Sequence, residues 1–359
     1  MPVFNGEEYI KRGISSILTQ TYQNLELFII NDCSNDRSME IISSFKDRRI
    51  KIISNSRNMG ISVSLNKGIN ASKGKYIARM DADDISHPDR LKIQTCFMEM
   101  YPQIGLLGTA YHLIDENGKR LSTYRYPGNS IDLKWKLLSG PIFPHPSVMM
   151  RKDLLVNNNL QYNEELDCSQ DYDLWSKLLN FTNGSNLVKP LIQYRKHPKS
   201  ISSSKRVQQK RNQFKISINL ILDLFEDYPI APIHAWVFRK IIQNKLKMLS
   251  SVQLNQGFYL FKKALNKFEK TYDFSKTSLT WENKIFHDYF YSFIDYVEGW
   301  IAKINKERRA KHLKLFLLRL IILIIKSLIK KRRNRTQNTF LEYLHLISLK
   351  IIYHFESAK

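Results

Sequence analysis

The fold is decided by residues 76–84, which read Tyr76-Ile77-Ala78-Arg79-Met80-Asp81-Ala82-Asp83-Asp84. The apolar first half predicts a β-strand, and the acidic second half follows that strand directly. Residues 25–36 repeat this arrangement, because the apolar run Leu25–Ile30 ends in a polar cluster that contains Asp32. In open α/β sheets, ligands bind beyond the carboxyl ends of the strands. The two acidic clusters are therefore candidates for one site.

Predicted helices alternate with these strands. Amphipathic or capped segments at 7–20, 38–45 and 60–71 predict helices, and the run Ile50–Ser54 predicts a further strand. This alternation predicts an α/β fold with a mostly parallel sheet flanked by helices. The pattern is mixed from about 106 to 194 and helical after Ser204. We therefore expect a sheet domain over 1–204 and a mainly helical region over 205–359.

The charge is unevenly distributed along the chain. The net charge is +23, and residues 199–359 carry 31 Lys and Arg against 12 Asp and Glu, a net of +19. Residues 1–198 therefore carry only +4, which predicts two regions with different surroundings. The three cysteines show no CxxC spacing. They are typical of reduced thiols in a cytoplasmic protein, and the first residues do not resemble a signal peptide.

Asp81 and Asp83 predict a site for a divalent cation. Two carboxylates spaced i, i+2 just beyond a strand can face one hard cation such as Mn²⁺ or Mg²⁺, which also binds substrate phosphates. The pair alone is a weak signal, because acidic loops are common. Its position after a strand, with Asp32 at the end of another strand, strengthens the interpretation.

Three further residues have both a functional and a structural interpretation. Asp32 can accept a hydrogen bond from a pyrimidine ring or form a turn, with residues 34–36 capping the next helix. Asp171 can deprotonate an acceptor hydroxyl or simply favour a helix N-terminus. His197 can be a ligand of the cation or diphosphate, or a surface histidine in a loop.

Residues 2 to about 204 resemble the inverting family 2 glycosyltransferases, which have the GT-A fold. The order and spacing of several short stretches carry the resemblance: Pro2-Val3-Phe4-Asn5-Gly6, Ile29-Ile30-Asn31-Asp32-Cys33-Ser34, Asn58-Met59-Gly60, residues 74–84, His145-Pro146-Ser147, Asp171-Tyr172-Asp173-Leu174-Trp175 and Tyr194-Arg195-Lys196-His197. It implies a nucleoside-diphosphate sugar, most simply a UDP-sugar, as donor and a divalent cation as cofactor.

The resemblance also implies a role for each matching residue. Pro2 and Asp32 would line the nucleotide base, with Arg57 or Asn58 close by. Asp81 would contact the ribose or diphosphate, Asp83 would bind the metal, and His197 would close over the diphosphate. Asp171 would be the catalytic base. Two departures stand out: Cys33 replaces the usual glycine of a tight turn, and the first strand lacks the apolar residues that normally precede Pro2.

The basic segment 312–335 predicts contact with a membrane surface. Its uninterrupted apolar run, Leu320–Ile325, is six residues, far short of the roughly 20 that span a bilayer. An interfacial helix followed by a basic cluster fits better. A buried helix packed on the first domain is the alternative. No recognisable nucleic-acid module is present, so we expect no nucleic-acid partner.

Together with these observations, the resemblance implies an inverting glycosyltransferase that acts on a glycan or lipid-linked acceptor in surface polysaccharide synthesis. The expected location is the cytoplasmic face of the cell membrane. Two alternatives remain: a non-catalytic nucleotide-sugar-binding protein and, further behind, a sugar nucleotidyltransferase. The latter requires a glycine-rich basic loop after the first strand, where this chain has the acidic Asn5-Gly6-Glu7-Glu8-Tyr9.

Overall fold

A computed structural model of the chain describes residues 1–128 and 130–243, together with 245, 248, 249, 253, 256, 257, 259, 260, 263, 264 and 267. The predicted membrane-binding segment 312–335 lies outside the described residues. Within them, no helix combines the length and the apolar character that a bilayer crossing requires. The elements are β1 Pro2–Val3, α1 Ile10–Leu18, β2 Leu27–Asn31, α2 Ser38–Ser44, β3 Ile50–Ser54, α3 Ile61–Ala71, β4 Tyr76–Ala78, β5 Ile85–Ser86, α4 Arg90–Met100, β6 Ile104–Ile114, β7 Arg120–Tyr124, α5 Ser130–Leu137, a 3₁₀ turn His145–Ser147, β8 Met149–Arg151, α6 Lys152–Asn157, α7 Gln170–Leu178, β9 Asn183–Arg195, α8 Ile201–Ser204, α9 Arg206–Leu224 and α10 Pro232–Ile242.

The first half forms the predicted βαβ units. Strands β1, β2 and β3 pair in parallel in that spatial order. The inward face of α1 and β2 buries isoleucines: Ile10, Ile14, Ile17 and Ile29. The helical period of α1 brings the three α1 residues onto one face, which explains why this short helix is stable only against the sheet.

The second sheet is mixed, and this corrects the expectation of a mostly parallel sheet. It runs β4-β8-β6-β9-β5, with β7 paired to β6. Only the β6–β9 pair is parallel, whereas the β4–β8, β5–β9, β6–β7 and β6–β8 pairs are antiparallel. Strand direction depends on partners distant in sequence, which local periodicity does not record. The α/β fold with flanking helices is confirmed.

The core of the second sheet is built around Trp175 on α7. Its ring contacts His145, Phe143 and Tyr162 in edge-on geometry, with ring centroids 5.8–6.3 Å apart. All four side chains are buried. This packing fixes the start of α7, which carries Asp171, against the sheet.

Helices α9 and α10 pack on the sheet domain across the predicted boundary at 204. The Phe238 ring meets the Trp135 ring with centroids 6.1 Å apart, and both side chains are fully buried. Arg239 Nη2 donates to the Ser139 carbonyl at 3.2 Å, and Asn212 Nδ2 donates to the Cys168 carbonyl at 3.0 Å. Residues 205–242 therefore share a core with the first domain, while the assignment of two domains stays a prediction.

Candidate functional site

Three carboxylates follow β4 and converge. Asp81, Asp83 and Asp84 each present one oxygen, and these three atoms lie within 4.8 Å of one another. The side chains of Asp81 and Asp83 are 25% and 28% exposed, whereas Asp84 is buried. The sequence predicted the first two as neighbours because they are two positions apart. Asp84 joins them because the chain turns directly into the short strand β5.

The electrostatics of this cluster suit a bound cation. Burial and the neighbouring Asp83 charge raise the pKa of Asp84 well above its ordinary value. Burial also raises the pKa of Asp81, and Asp83 adds to the effect. Among the described residues, Asp84 Oδ2 is buried without a hydrogen-bond partner. Converging, partly desolvated carboxylate oxygens are ligands that a hard divalent cation prefers, and its charge would relieve their repulsion. The donor set therefore fits Mn²⁺ or Mg²⁺.

Two buried arginines brace the strand that leads into the cluster. Arg79 forms an ion pair with Asp81, and its side chain is 3% exposed. Arg90 on α4 donates from Nη2 to the carbonyls of Arg79 and Val148 at 2.8 and 3.2 Å. Burial and the Arg79 charge lower the pKa of Arg90 to about 9. Neither arginine was predicted from the sequence to have a role in this site.

Arg195 at the end of β9 holds the cluster from the other side. Its backbone N–H donates to Asp84 Oδ1 at 2.7 Å, and its Nε donates to the Asp83 carbonyl at 2.8 Å. Its Nη1 donates to the carbonyls of Asp115 and Glu116 at 3.0 and 2.8 Å. The guanidinium also lies over the Tyr9 ring, 4.7 Å from its centroid. One side chain thus ties the acidic loop to the β6–β7 turn and to the start of α1.

His197 lies beside Asp83. Its Nε2 is 2.9 Å from Asp83 Oδ2, and its ring lies 5.1 Å from the Tyr9 ring, centroid to centroid. Of the two interpretations from the sequence, a free surface histidine does not match this contact. His197 is therefore positioned to hold the Asp83 carboxylate, while the three converging ligand atoms come from Asp81, Asp83 and Asp84. Its role as a metal ligand stays a prediction.

Asp32 clamps the loop that leads into α3. Its Oδ1 accepts hydrogen bonds from Asn55 Nδ2 at 2.7 Å and Met59 N at 2.8 Å, and its Oδ2 accepts one from Gly60 N at 2.8 Å. A carboxylate has about four acceptor positions, so these bonds leave one at Oδ2 for a nucleotide base. Base recognition by Asp32 stays a prediction, and the clamp is a second role that the sequence did not suggest.

The turn after Asp32 has the backbone conformation that normally favours glycine, the residue that Cys33 replaces. Cys33 has φ = +61°, a left-handed conformation that favours glycine. Asp36 accepts hydrogen bonds from Ser38 N and, on its other oxygen, from Glu7 N, each at 2.9 Å. The N-cap of α2 is Arg37, without a side-chain capping bond, so Asp36 forms a turn before the helix and not the expected cap.

The remaining predicted nucleotide contacts flank this clamp. Pro2 is buried in β1, opposite Ile30 of β2. Arg57 and Asn58 are exposed in the loop that Asp32 holds. The structure thus brings Pro2, Asp32 and the 57–58 loop to one end of the first sheet. Their contact with a nucleotide stays a prediction.

Asp171 lies at the second position of α7. Its Oδ1 accepts a hydrogen bond from Tyr172 N at 2.8 Å. Burial raises the pKa of Asp171, the Arg79 charge opposes that rise, and the Asp81 charge adds to it. Asp171 therefore lies within electrostatic range of Arg79 and Asp81, although it follows Asp81 by 90 positions in the chain. A carboxylate with a raised pKa near a cation site is suited to proton transfer.

The described sheets and flanking helices form an α/β fold of the GT-A type. The structure of Staphylococcus aureus TarS 1-349 in complex with UDP-GlcNAc superposes with a TM-score of 0.53, at 19% sequence identity, over 81% of this chain and 79% of TarS 1-349. At that identity the likeness establishes the fold alone.

Sequence comparison identifies the family. Residues 1–157 match the family model of glycosyl transferase family 2. An uncharacterized glycosyltransferase of Haemophilus influenzae is 33% identical over 226 residues, which are 59% of this chain and 69% of the relative. The O-antigen biosynthesis glycosyltransferase WbnJ of Escherichia coli is 34% identical over 215 residues, 57% of this chain and 81% of WbnJ. The chain belongs to glycosyl transferase family 2, and the predicted glycosyltransferase activity is confirmed.

Proposed function

We propose that this enzyme transfers a sugar from a nucleoside-diphosphate sugar to a hydroxyl group of a glycan or glycolipid, with inversion at the anomeric carbon. The observation that carries the proposal is the convergence of three carboxylate oxygens after β4, with the buried Asp171 close enough for the charges of Arg79 and Asp81 to influence its pKa. In this arrangement Asp171 and a bound cation would act on opposite sides of the anomeric carbon of the donor sugar. The UDP-GlcNAc bound in the TarS structure supports a nucleotide-sugar donor.

The donor end of the site is assigned to the first sheet and the acidic loop. Pro2, Asp32 and the 57–58 loop would contact the base, and Asp81 would contact the ribose or diphosphate. Asp83, Asp81 and Asp84 would hold the cation, with His197 beside Asp83. A divalent cation bound there would neutralise the charge that develops on the departing diphosphate. Arg195 keeps the loop in the shape that the three oxygens need.

Asp171 is assigned the proton transfer. The acceptor oxygen forms a bond to the anomeric carbon while its proton moves to a carboxylate oxygen of Asp171, and the bond to the diphosphate oxygen breaks on the opposite side. The hydrogen bond from Tyr172 N holds Oδ1, which leaves Oδ2 for the acceptor hydroxyl. WbnJ acts in O-antigen biosynthesis, which supports a surface-polysaccharide acceptor, and we place the reaction at the cytoplasmic face of the membrane.

Replacing the proposed base tests this assignment. We expect Asp171→Asn to slow the release of UDP from UDP-GlcNAc in the presence of Mn²⁺ by about 10²–10⁴-fold, the usual contribution of a general base. UDP affinity, measured by calorimetry, should stay within about twofold, because Asp171 contacts the acceptor and not the nucleotide. A panel of UDP-, GDP- and TDP-sugars replaces UDP-GlcNAc if that donor is not used.

Asp173→Asn is the matched control. Asp173 lies on the same helix and is paired with Lys177 at 2.7 Å, so its loss removes a carboxylate without removing the base. We expect it to keep the parent rate within about threefold, as an exposed ion pair contributes little. An unchanged rate in Asp171→Asn, or an equal loss in both variants, would contradict the assignment.

A further inference from the structure

Four tyrosines on β6, β7 and β9 and just after β7 form one connected group of rings. Tyr111 on β6 stacks on Tyr124 of β7, with ring centroids 5.2 Å apart and planes at 18°. Tyr194 on β9 meets the Tyr111 ring edge-on at 5.5 Å. Tyr111 and Tyr126 share a side-chain hydrogen bond. We call Tyr111, Tyr124, Tyr126 and Tyr194 the tyrosine wall.

The tyrosine wall reaches both reactive parts of the site. Burial raises the pKa of Tyr194, and the charges of Asp84, Asp81 and Asp83 raise it further. At the other end, burial and the Asp171 charge raise the pKa of Tyr126. The packing agrees with this: Tyr194 and Ala82 pack against the core cluster that contains Met80, and Tyr126 packs against the one that contains Tyr172 and Trp175 of α7. A molecule that presents a hydroxyl to Asp171 would lie along this wall.

A cavity beside α1 is the other candidate surface for an acceptor. Side chains alternate along a strand, so His112 and Gln193 point away from Tyr111 and Tyr194. They line a cavity of about 760 Å³ together with Lys11, Arg12 and Ser15 of α1. None of the residues that line this cavity belongs to α7 or to the tyrosine wall. The tyrosine wall, which packs on both α7 and the core below the acidic loop, is therefore the better-placed surface for an acceptor.

Tyr124 presents a flat ring face to solvent. It is 46% exposed, and because the Tyr111 ring stacks on one of its faces, the opposite face is the open one. The face of an aromatic ring carries partial negative charge. The axial C–H groups of a pyranose carry partial positive charge and form a flat apolar patch of similar size. An open aromatic face supported from behind is therefore suited to a sugar ring.

We propose that Tyr124, supported by Tyr111, binds a pyranose ring of the acceptor, so that the acceptor substrate ends in a sugar. The inference rests on the proposed function, because it uses Asp171 as the base that receives the acceptor proton. The rival is a lipid chain covering the same apolar surface. Stacking on a sugar requires the ring face, whereas a lipid chain requires only apolar area.

That difference defines the test. We would measure binding of the methyl β-glycosides of glucose, galactose and N-acetylglucosamine by saturation-transfer difference NMR, with UDP and Mn²⁺ present. Tyr124→Phe keeps the ring face and should bind as the parent does. Tyr124→Leu keeps apolar area without a ring and should bind about tenfold more weakly, a loss typical of one aromatic contact. Tyr101→Leu is the control, since Tyr101 is an exposed tyrosine at the end of α4 that packs on Phe97.

Two further measurements make each outcome decisive. UDP affinity of every variant reports whether the donor site is intact. In the parent protein, stacking predicts that the axial protons of one sugar face receive the strongest saturation, which needs no variant. Equal binding by Tyr124→Leu, no binding of any glycoside, or uniform saturation of both faces would overturn the inference. Because binding is measured without turnover, absence of sugar transfer would refute the proposed function separately.

Discussion

At the scale of single residues, Asp81, Asp83 and Asp84 are not interchangeable. Asp81 pairs with Arg79, Asp83 contacts His197, and Asp84 accepts from the Arg195 backbone. Each carboxylate is therefore held by a different part of the chain. The sequence predicted Asp81 and Asp83 as a pair because they are two positions apart. It did not predict that Asp84 and Arg195, 111 positions apart, would fix the geometry, because such contacts depend on strand order.

Asp171 also has a consequence for the pH dependence. Its pKa is raised by burial above the ordinary value of 3.8. A general base acts in its ionised form, so the rate should fall about tenfold per pH unit below this raised pKa. The acid limb of log kcat for UDP release from UDP-GlcNAc should therefore lie above pH 3.8.

Comparing the pH profiles of the parent and Asp171→Asn at saturating Mn²⁺ separates the titration of Asp171 from that of the other carboxylates. Asp81 and Asp84 also have raised pKa values, and loss of cation binding on their protonation would remain in the variant. The limb due to Asp171 should be absent from its residual rate. Superimposable profiles for the two proteins would exclude Asp171 as the titrating group.

At the scale of elements, α1 and the acidic loop meet more closely than side chains normally allow. A Cβ at Gly13 would lie 2.6 Å from the Ala82 carbonyl oxygen and 3.5 Å from that of Asp84. Both of these atoms belong to the backbone, so the loop itself would have to move. The absence of a side chain at position 13 is therefore a condition for the shape of the carboxylate cluster.

Gly13→Ala should accordingly weaken Mn²⁺-dependent activity. Alanine raises intrinsic helix stability by up to about 1 kcal/mol, but its Cβ displaces the loop. We expect at least a roughly tenfold higher Mn²⁺ concentration for half-maximal activity, since about 1.4 kcal/mol of misplacement costs that factor. Gly68→Ala in α3 is the control. Its Cβ would meet the end of the Ile30 side chain at 2.9 Å, which can move. Equal effects of the two changes would show that helix composition, and not loop contact, is responsible.

The elements themselves were largely predictable in the first half of the chain. Strand β3 and helix α3 lie within one residue of the predicted bounds, because hydrophobic period and Gly60 mark them locally. The second sheet was not predictable in the same way. Strand β9 has thirteen residues and several register irregularities against β6, and a short sequence window records neither its partner nor its direction.

At the scale of the whole molecule, helices α9 and α10 complete the core under Asp171. Phe238 covers Trp135, and Asn212 holds the Cys168 carbonyl just before α7. The sequence predicted helices after Ser204 but placed a boundary there, because composition and charge change at that point. The change in charge at residue 204 reflects the exposed residues, whereas the shared core is formed by buried residues from before and after that position.

Removing one aromatic ring from this core tests whether the residues before and after 204 unfold together or as independent units. We expect Phe238→Ala to lower the free energy of unfolding by about 3–5 kcal/mol, the usual cost of deleting a buried aromatic side chain. Loss of UDP binding in urea should then occur at a lower concentration than in the parent. Phe214→Ala on α9, where the side chain is 37% exposed, is the control. Independent units would instead leave the UDP-binding transition unchanged in Phe238→Ala.

Arg195 lies beyond the part of the chain that matches the family model, and this affects how the product of a damaged gene would be classified. The family match ends at residue 157, whereas Asp171, Arg195 and His197 all follow it. A gene interrupted after that point would still carry the recognisable signature of its family. Its product would have lost the proposed base and the tie that shapes the acidic loop. Such a product would still be recognised as a member of the family, but it would lack residues that we propose for catalysis.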